Sequence, residues 1–156
     1  MNMMQEVLID KVVVNIGVGQ SGDRLTKAMK VIEMLTDKKP APTAARKSVR
    51  EFNIRPGMTI GTKVTLRKES ASVFLKKAFY AKDFKIATYS FDKQGNAYFG
   101  IPDYTEFEGQ KYDPDIGIFG LDVAIVFKRR GGYRVARRNR QRKAVSRSIR
   151  VTKDED

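Results

Sequence analysis

Strict alternation opens the chain. Across residues 7–18, Val12, Val14, Ile16 and Val18 fall on one side of an extended backbone, and Lys11, Val13, Asn15 and Gly17 on the other. This predicts a strand with one apolar face and one mixed face. The period then changes from two to 3.6. After QSGD, Leu25, Ala28, Met29, Ile32 and Leu35 recur at helical spacing, with Ser21 or Asp23 in position to cap the helix. Pro40 and Pro42 follow, so the helix is expected to stop near Asp37. Residues 41–47 read as an extended segment whose prolines suit a sheet edge. A turn-rich loop over 48–58, carrying Arg-Pro-Gly, leads into the clearest strand, 59–68. There Ile60, Thr62, Val64 and Leu66 alternate with Thr59, Lys63, Thr65 and Arg67.

Ser70 is placed to cap a second helix over 71–81, with Val73, Phe74, Ala78 and Ala81 available to a core. Residues 85–91 and 96–101 are expected to pair as a hairpin around DKQG, where Gly95 can take the positive φ of a short turn. The acidic stretch 103–117, interrupted by Gly and Pro, reads as loop, and 121–127 as an apolar closing strand. Gly131-Gly132 then marks a boundary. The expected organisation is one domain over 1–128 and a basic extension over 129–156. With 156 residues, 41% of them hydrophobic, the chain can bury a substantial core.

Charge adds what periodicity cannot. Residues 38–68 hold nine Lys/Arg against one acid, Glu51, and residues 128–156 hold twelve against three. With +13 overall, the rest of the chain carries a net −4. Two concentrated basic segments on a mildly acidic body point to nucleic acid, because clustered cations release phosphate counterions together. The Lys63, Thr65 and Arg67 ladder suits phosphate and sugar contacts, although a solvated sheet face would look the same. There is no Cys and no His, which excludes disulfides and Cys/His zinc sites and removes the commonest general base. No charged leader with an apolar run opens the chain, and no apolar stretch is long enough to span a bilayer, so a cytoplasmic protein without membrane partners is expected.

Three motifs are set aside on their context. GVGQSG at 17–22 fits GxGxxG, but the proline-broken, basic DKKPAPTAARK follows in place of a buried parallel strand, which favours a tight turn over a dinucleotide site. Glu106/Glu108 and Asp113/Asp115 match no calcium loop or helix-borne metal motif. No nucleophile elbow or P-loop is present, so no enzyme, metal, cofactor or small-molecule substrate is expected. Tyr89, Phe91, Tyr98 and Phe99 do not fit the RNP pattern of RNA-recognition sheets, and aromatics in a hairpin are more often core, so base stacking is not assigned to them.

Taken in order, KVVVNIGVG at 11–19, KKPAPTAARKSV at 38–49 and RPGM-x-IG-x-KVTLR at 55–67, followed by a helix and a hairpin, resemble the large-subunit ribosomal protein family that binds 5S rRNA, universal ribosomal protein five. The resemblance covers most of residues 5–128, and the basic end looks like the archaeal form. It implies an α+β fold: an antiparallel-rich sheet with helices packed on one face, a long basic loop and a basic C-terminal extension. It also implies a structural role in the central protuberance, with 5S rRNA, large-subunit rRNA and neighbouring ribosomal proteins as partners. In the family the exposed sheet face contacts 5S rRNA. The matching positions are Asn15, Lys38, where bacterial members more usually carry Gln, and Thr65. Lys11, Lys39, Lys63 and Arg67 join them as nearby cations. The loop over 48–58 matches the segment that reaches the elbow of P-site tRNA, which implies phosphate contacts from Arg46, Lys47, Arg50 and Arg55 and an apolar tip at Phe52. Beyond 129 the resemblance fades. The composition there, with Arg134, Arg137, Arg138, Arg140, Arg142 and Lys143, predicts a tail threading along rRNA. A free-standing RNA-binding module or RNA chaperone outside the ribosome is the competing expectation.

Overall fold

β1 (Val7–Gly17) is the axis of the sheet, since it pairs antiparallel with β3 (Thr59–Leu66) on one side and β5 (Leu121–Arg129) on the other. β2 (Ala41–Ala44) adds to the outer edge of β3, and β4 (Ala97–Ile101) to that of β5. The computed structural model describes residues 3–130 and Val151, and its strand order is β2-β3-β1-β5-β4. Pro42 sits on the edge strand, where its missing N–H costs no ladder bond. Two helices, α1 (Asp23–Thr36) and α2 (Lys68–Ala81), complete an α+β fold.

One sheet face is apolar because the alternation of each strand is in phase with its neighbours. Val12, Val14 and Ile16 of β1, Val64 and Leu66 of β3, Val123 and Ile125 of β5, and Phe99 and Ile101 of β4 join a single core with Ala28, Val31, Ile32 and Leu35 of α1 and Ala71, Phe74, Leu75 and Ala78 of α2. Both helices therefore lie on this side. Among the described residues the opposite face carries no helix.

Several local expectations change. Gly22 is the N-cap residue of α1 and gives no side-chain cap. Asp23 instead begins the helix, where its charge favours the helix dipole and pairs with Lys27 at 3.2 Å. α2 begins at Lys68 after an extended Arg67, so Ser70 lies inside its first turn. Val31 and Leu75 are buried where Met29 and Val73 were expected, and Val73 is exposed. The hairpin over 85–101 reduces to β4 and one bridge, Phe91 to Ala97, because Thr88–Ser90 forms a 3-10 turn. Its tight turn is as expected, with Gly95 at φ 73° and its N–H donating to the Asp92 carbonyl.

Candidate nucleic-acid interface

The register of β1 against β3 sets Asn15 opposite Lys63 and Val13 opposite Thr65. The core takes Val12, Val14, Val64 and Leu66, so this second set, with Lys11, occupies the helix-free face. Lys63 and Thr65 are exposed; Lys11 and Asn15 are half-buried. Further along the same face, Asn15 lies opposite Asp122 of β5, and Asp122 opposite Gly100 of β4. The cations thus gather on the β3–β1 half, and an acid begins the β5–β4 half.

Asp10 limits how far the basic row extends. It is the extra residue of a bulge in β1, between Ile9 opposite Phe127 and Lys11 opposite Val126. Only 5% of it is exposed, and its Oδ1 lies 3.4 Å from both Arg67 Nη1 and Lys128 Nζ. Arg67 follows β3 with its guanidinium directed to Asp10, although half of its side chain still meets solvent. Lys38 lines a groove between the end of α1 and the start of α2, with Glu69, Ser70 and Lys77, and so belongs to the helix layer. Lys39 is exposed just before β2.

The basic loop is folded rather than open. Ala45 N–H donates to the Met58 carbonyl and Gly57 N–H to the Ala45 carbonyl at its base, while Val49 and Ile54 exchange two bonds of 3.0 Å around a 3-10 turn, Arg50–Phe52. Arg46, Lys47, Arg50 and Arg55 are all exposed on this frame. Phe52 is 69% exposed, yet with Ile54 it lines a groove shared with Val18, Gly19, Gln20 and Arg24, so the tip leans toward the body. The tail residues Arg134, Arg137, Arg138, Arg140, Arg142 and Lys143 lie outside the described residues.

The glycine-rich turn has no free cradle at its start, since the N–H groups of Val18 and Gly19 both donate to the Ile60 carbonyl, at 2.9 and 2.8 Å. Among the described residues no group of three or more acids could hold a metal ion, and no helix is long and apolar enough to cross a membrane. The aromatics divide differently from expectation. Phe99 is core, but Tyr98 stands on the open face opposite Ala124, and Tyr89 is almost fully exposed. Alternation within AYFGI could have found Tyr98, because its neighbours Ala97, Phe99 and Ile101 form the buried set.

Comparison with known proteins decides the family. Residues 2–55 match the model of ribosomal protein L5, and residues 59–152 match the model of the C-terminus of the same ribosomal family. The chain belongs to the ribosomal L5 family. It is 69% identical over 155 residues to the large ribosomal subunit protein uL5 of Thermoplasma volcanium, covering 99% of this chain and 91% of that one. It is also 69% identical to the uL5 of Thermoplasma acidophilum, with the same coverage of each chain, and 50% identical over 154 residues to that of Sulfolobus acidocaldarius, covering 99% of this chain and 86% of that protein. The L5-family protein described here is therefore a structural, non-enzymatic ribosomal protein of the large subunit, with the archaeal members among its relatives.

Proposed function

We propose that the protein binds 5S rRNA in the central protuberance through the helix-free face of its sheet, centred on Lys11, Asn15, Lys63 and Thr65. The observation that carries this reading is the β1–β3 register, which juxtaposes Asn15 with Lys63 and Val13 with Thr65 on the face that, among the described residues, no helix covers. The side chains suit the task. Lys supplies charge for phosphate, while Asn and Thr supply directional donors and acceptors that can engage a 2′-hydroxyl. Lys39 adds charge just before the edge strand, and Arg67 contributes from its place beside Asp10, whereas Lys38, in the helix layer, reaches only RNA that passes around the sheet edge. The test is 5S rRNA affinity of folded Asn15→Ala and Thr65→Val. Each loses about one hydrogen bond, so Kd is expected to rise about 2- to 10-fold. Unchanged affinity in both removes this face from the site.

The loop over 48–58 contacts the elbow of P-site tRNA, with Arg46, Lys47, Arg50 and Arg55 on phosphates and Phe52 at the tip. A contact that must accept every elongator tRNA is better made by backbone charge than by base reading. The tail cations run along large-subunit rRNA, and neighbouring ribosomal proteins complete the set of partners.

A further inference from the structure

The segment that leaves α2 is unlike the open face in both position and chemistry. After Ala81 the chain passes through Asp83 at φ 51° and Phe84 at φ 56°, two consecutive left-handed residues, neither of them glycine. For a side chain as bulky as Phe this conformation is sterically unfavourable. Backbone hydrogen bonds hold it: Asp83 N–H to the Tyr80 carbonyl at 3.1 Å, Phe84 N–H to the Phe79 carbonyl at 2.9 Å, and Lys85 N–H to the Lys82 carbonyl at 3.0 Å. The outcome is that Phe84 is 72% exposed to solvent. Tyr80 is exposed one turn earlier, and Tyr89, five residues later, is 89% exposed. Phe79, by contrast, turns inward and stacks on Phe99 with ring centroids 6.0 Å apart. Phe99 is on the core side of β4, and Ala81 and Ile86 also pack against the core, so the chain over 81–86 belongs to the helix layer, away from Asn15 and Thr65.

Charge indicates the occupant. Lys76, Lys77, Lys82 and Lys85 lie in or beside the segment against one exposed acid, Asp83, a local excess of three cations, and none of the four lysines is ion-paired among the described residues. An apolar protein partner would have to bury these cations unpaired. A polyanion with flat apolar faces would satisfy the lysines and the rings together, and unpaired nucleotides are such a ligand. Strained backbone that displays a ring, where glycine would relax the turn, is the arrangement found at ligand-contacting segments.

We infer that residues 80–89 form a second RNA-binding surface, on the helix side of the sheet, which takes unpaired nucleotides by stacking bases on Phe84 and Tyr89 and by phosphate contacts from Lys82 and Lys85. The inference rests on the reading of this protein as an rRNA-binding subunit component, and deepens it: RNA is held on both sides of the sheet.

The test uses the full chain, single-stranded oligouridine carrying 5-iodouridine, and 5S rRNA in a parallel binding assay. Phe84→Asn is the informative variant, because Asn tolerates the left-handed region better than Phe, so its melting temperature should equal or exceed the parent's while the ring is gone. The parent is expected to crosslink at Phe84 or Tyr89. Phe84→Asn and Tyr89→Ala should each bind oligouridine about 5- to 150-fold more weakly, with 5S rRNA affinity unchanged. Replacing Lys82 and Lys85 with Gln should flatten the log-log salt slope by about 1.4. Oligouridine affinity unchanged in Phe84→Asn overturns the inference. A parallel fall in 5S rRNA affinity also overturns it, by making the two surfaces one. So does unaltered RNA binding with loss of retention in washed large subunits, which assigns the segment to a protein neighbour. A parent that crosslinks at Phe84 yet fails to bind 5S rRNA refutes the open-face reading and supports this one.

Discussion

A β-carbon on Gly61 would lie 2.8 Å from the Ile16 carbonyl oxygen and 2.9 Å from Thr43 Oγ1, so the β1–β3–β2 junction closes only around glycine. Gly61→Ala must push β2 outward or bend β1, at a cost of about 1–3 kcal/mol. A fall in melting temperature of roughly 2–10 °C is expected; a change within about 1 °C would show that the edge strand yields freely. Asp10 poses the opposite case, a buried carboxylate serving two cations. Because Arg67 is half exposed and can return to water, Asp10→Asn is expected to destabilise by only about 1–2 kcal/mol in a denaturant titration. The same change releases Arg67 toward RNA and should tighten 5S rRNA binding; weaker binding in a folded variant would argue against an RNA role for Arg67.

At the scale of elements, most of the fold is legible in periodicity. Alternation in 7–18 and 59–68 identifies β1 and β3 and the side chains each buries, since a period of two leaves no freedom once one face is apolar. That same alternation puts Asn15 and Thr65 opposite the core, and the structure adds that the two strands are neighbours. Helices are less legible. Which of Val31 and Met29, or Leu75 and Val73, turns inward depends on how each helix is rotated against the sheet, and several phases fit a short apolar stripe. The hairpin at 85–101 is shorter than its pattern suggests because the φ-positive Asp83-Phe84 step and the 3-10 turn Thr88–Ser90 redirect the chain, and neither has a glycine to signal it. The basic loop is the element with its own prediction. Deleting residues 49–56 keeps the Ala45–Met58 closing bond, so the protein should fold and enter large subunits while P-site tRNA crosslinking is lost. Unchanged crosslinking in such subunits would remove the loop from the tRNA site.

At the scale of the molecule, twenty-one of the 31 Lys/Arg lie in two segments expected to meet RNA, residues 38–68, which run from the α1–β2 connection through the loop into β3, and residues 128–156, while the rest of the chain is net acidic although it includes Lys11, Lys82 and Lys85. Val151 is buried, so removing the extension would strip an apolar contact as well as charge. Substitution is the cleaner test. Changing Arg134, Arg137, Arg138, Arg140, Arg142 and Lys143 together to Gln should flatten the log-log salt slope of rRNA binding by about 4–5, and an unaltered slope would mean that the tail makes few phosphate contacts. The central claim concerns the helix-free face, and ultraviolet crosslinking of intact large subunits reaches it most directly, with each peptide identified by mass and each attached RNA by sequence. Peptides of β1 and β3 bearing Asn15, Lys63 and Thr65 are predicted to carry 5S rRNA. If 5S rRNA were found only on other peptides, with β1 and β3 bound to a different RNA or to none, the open face would not be its binding site.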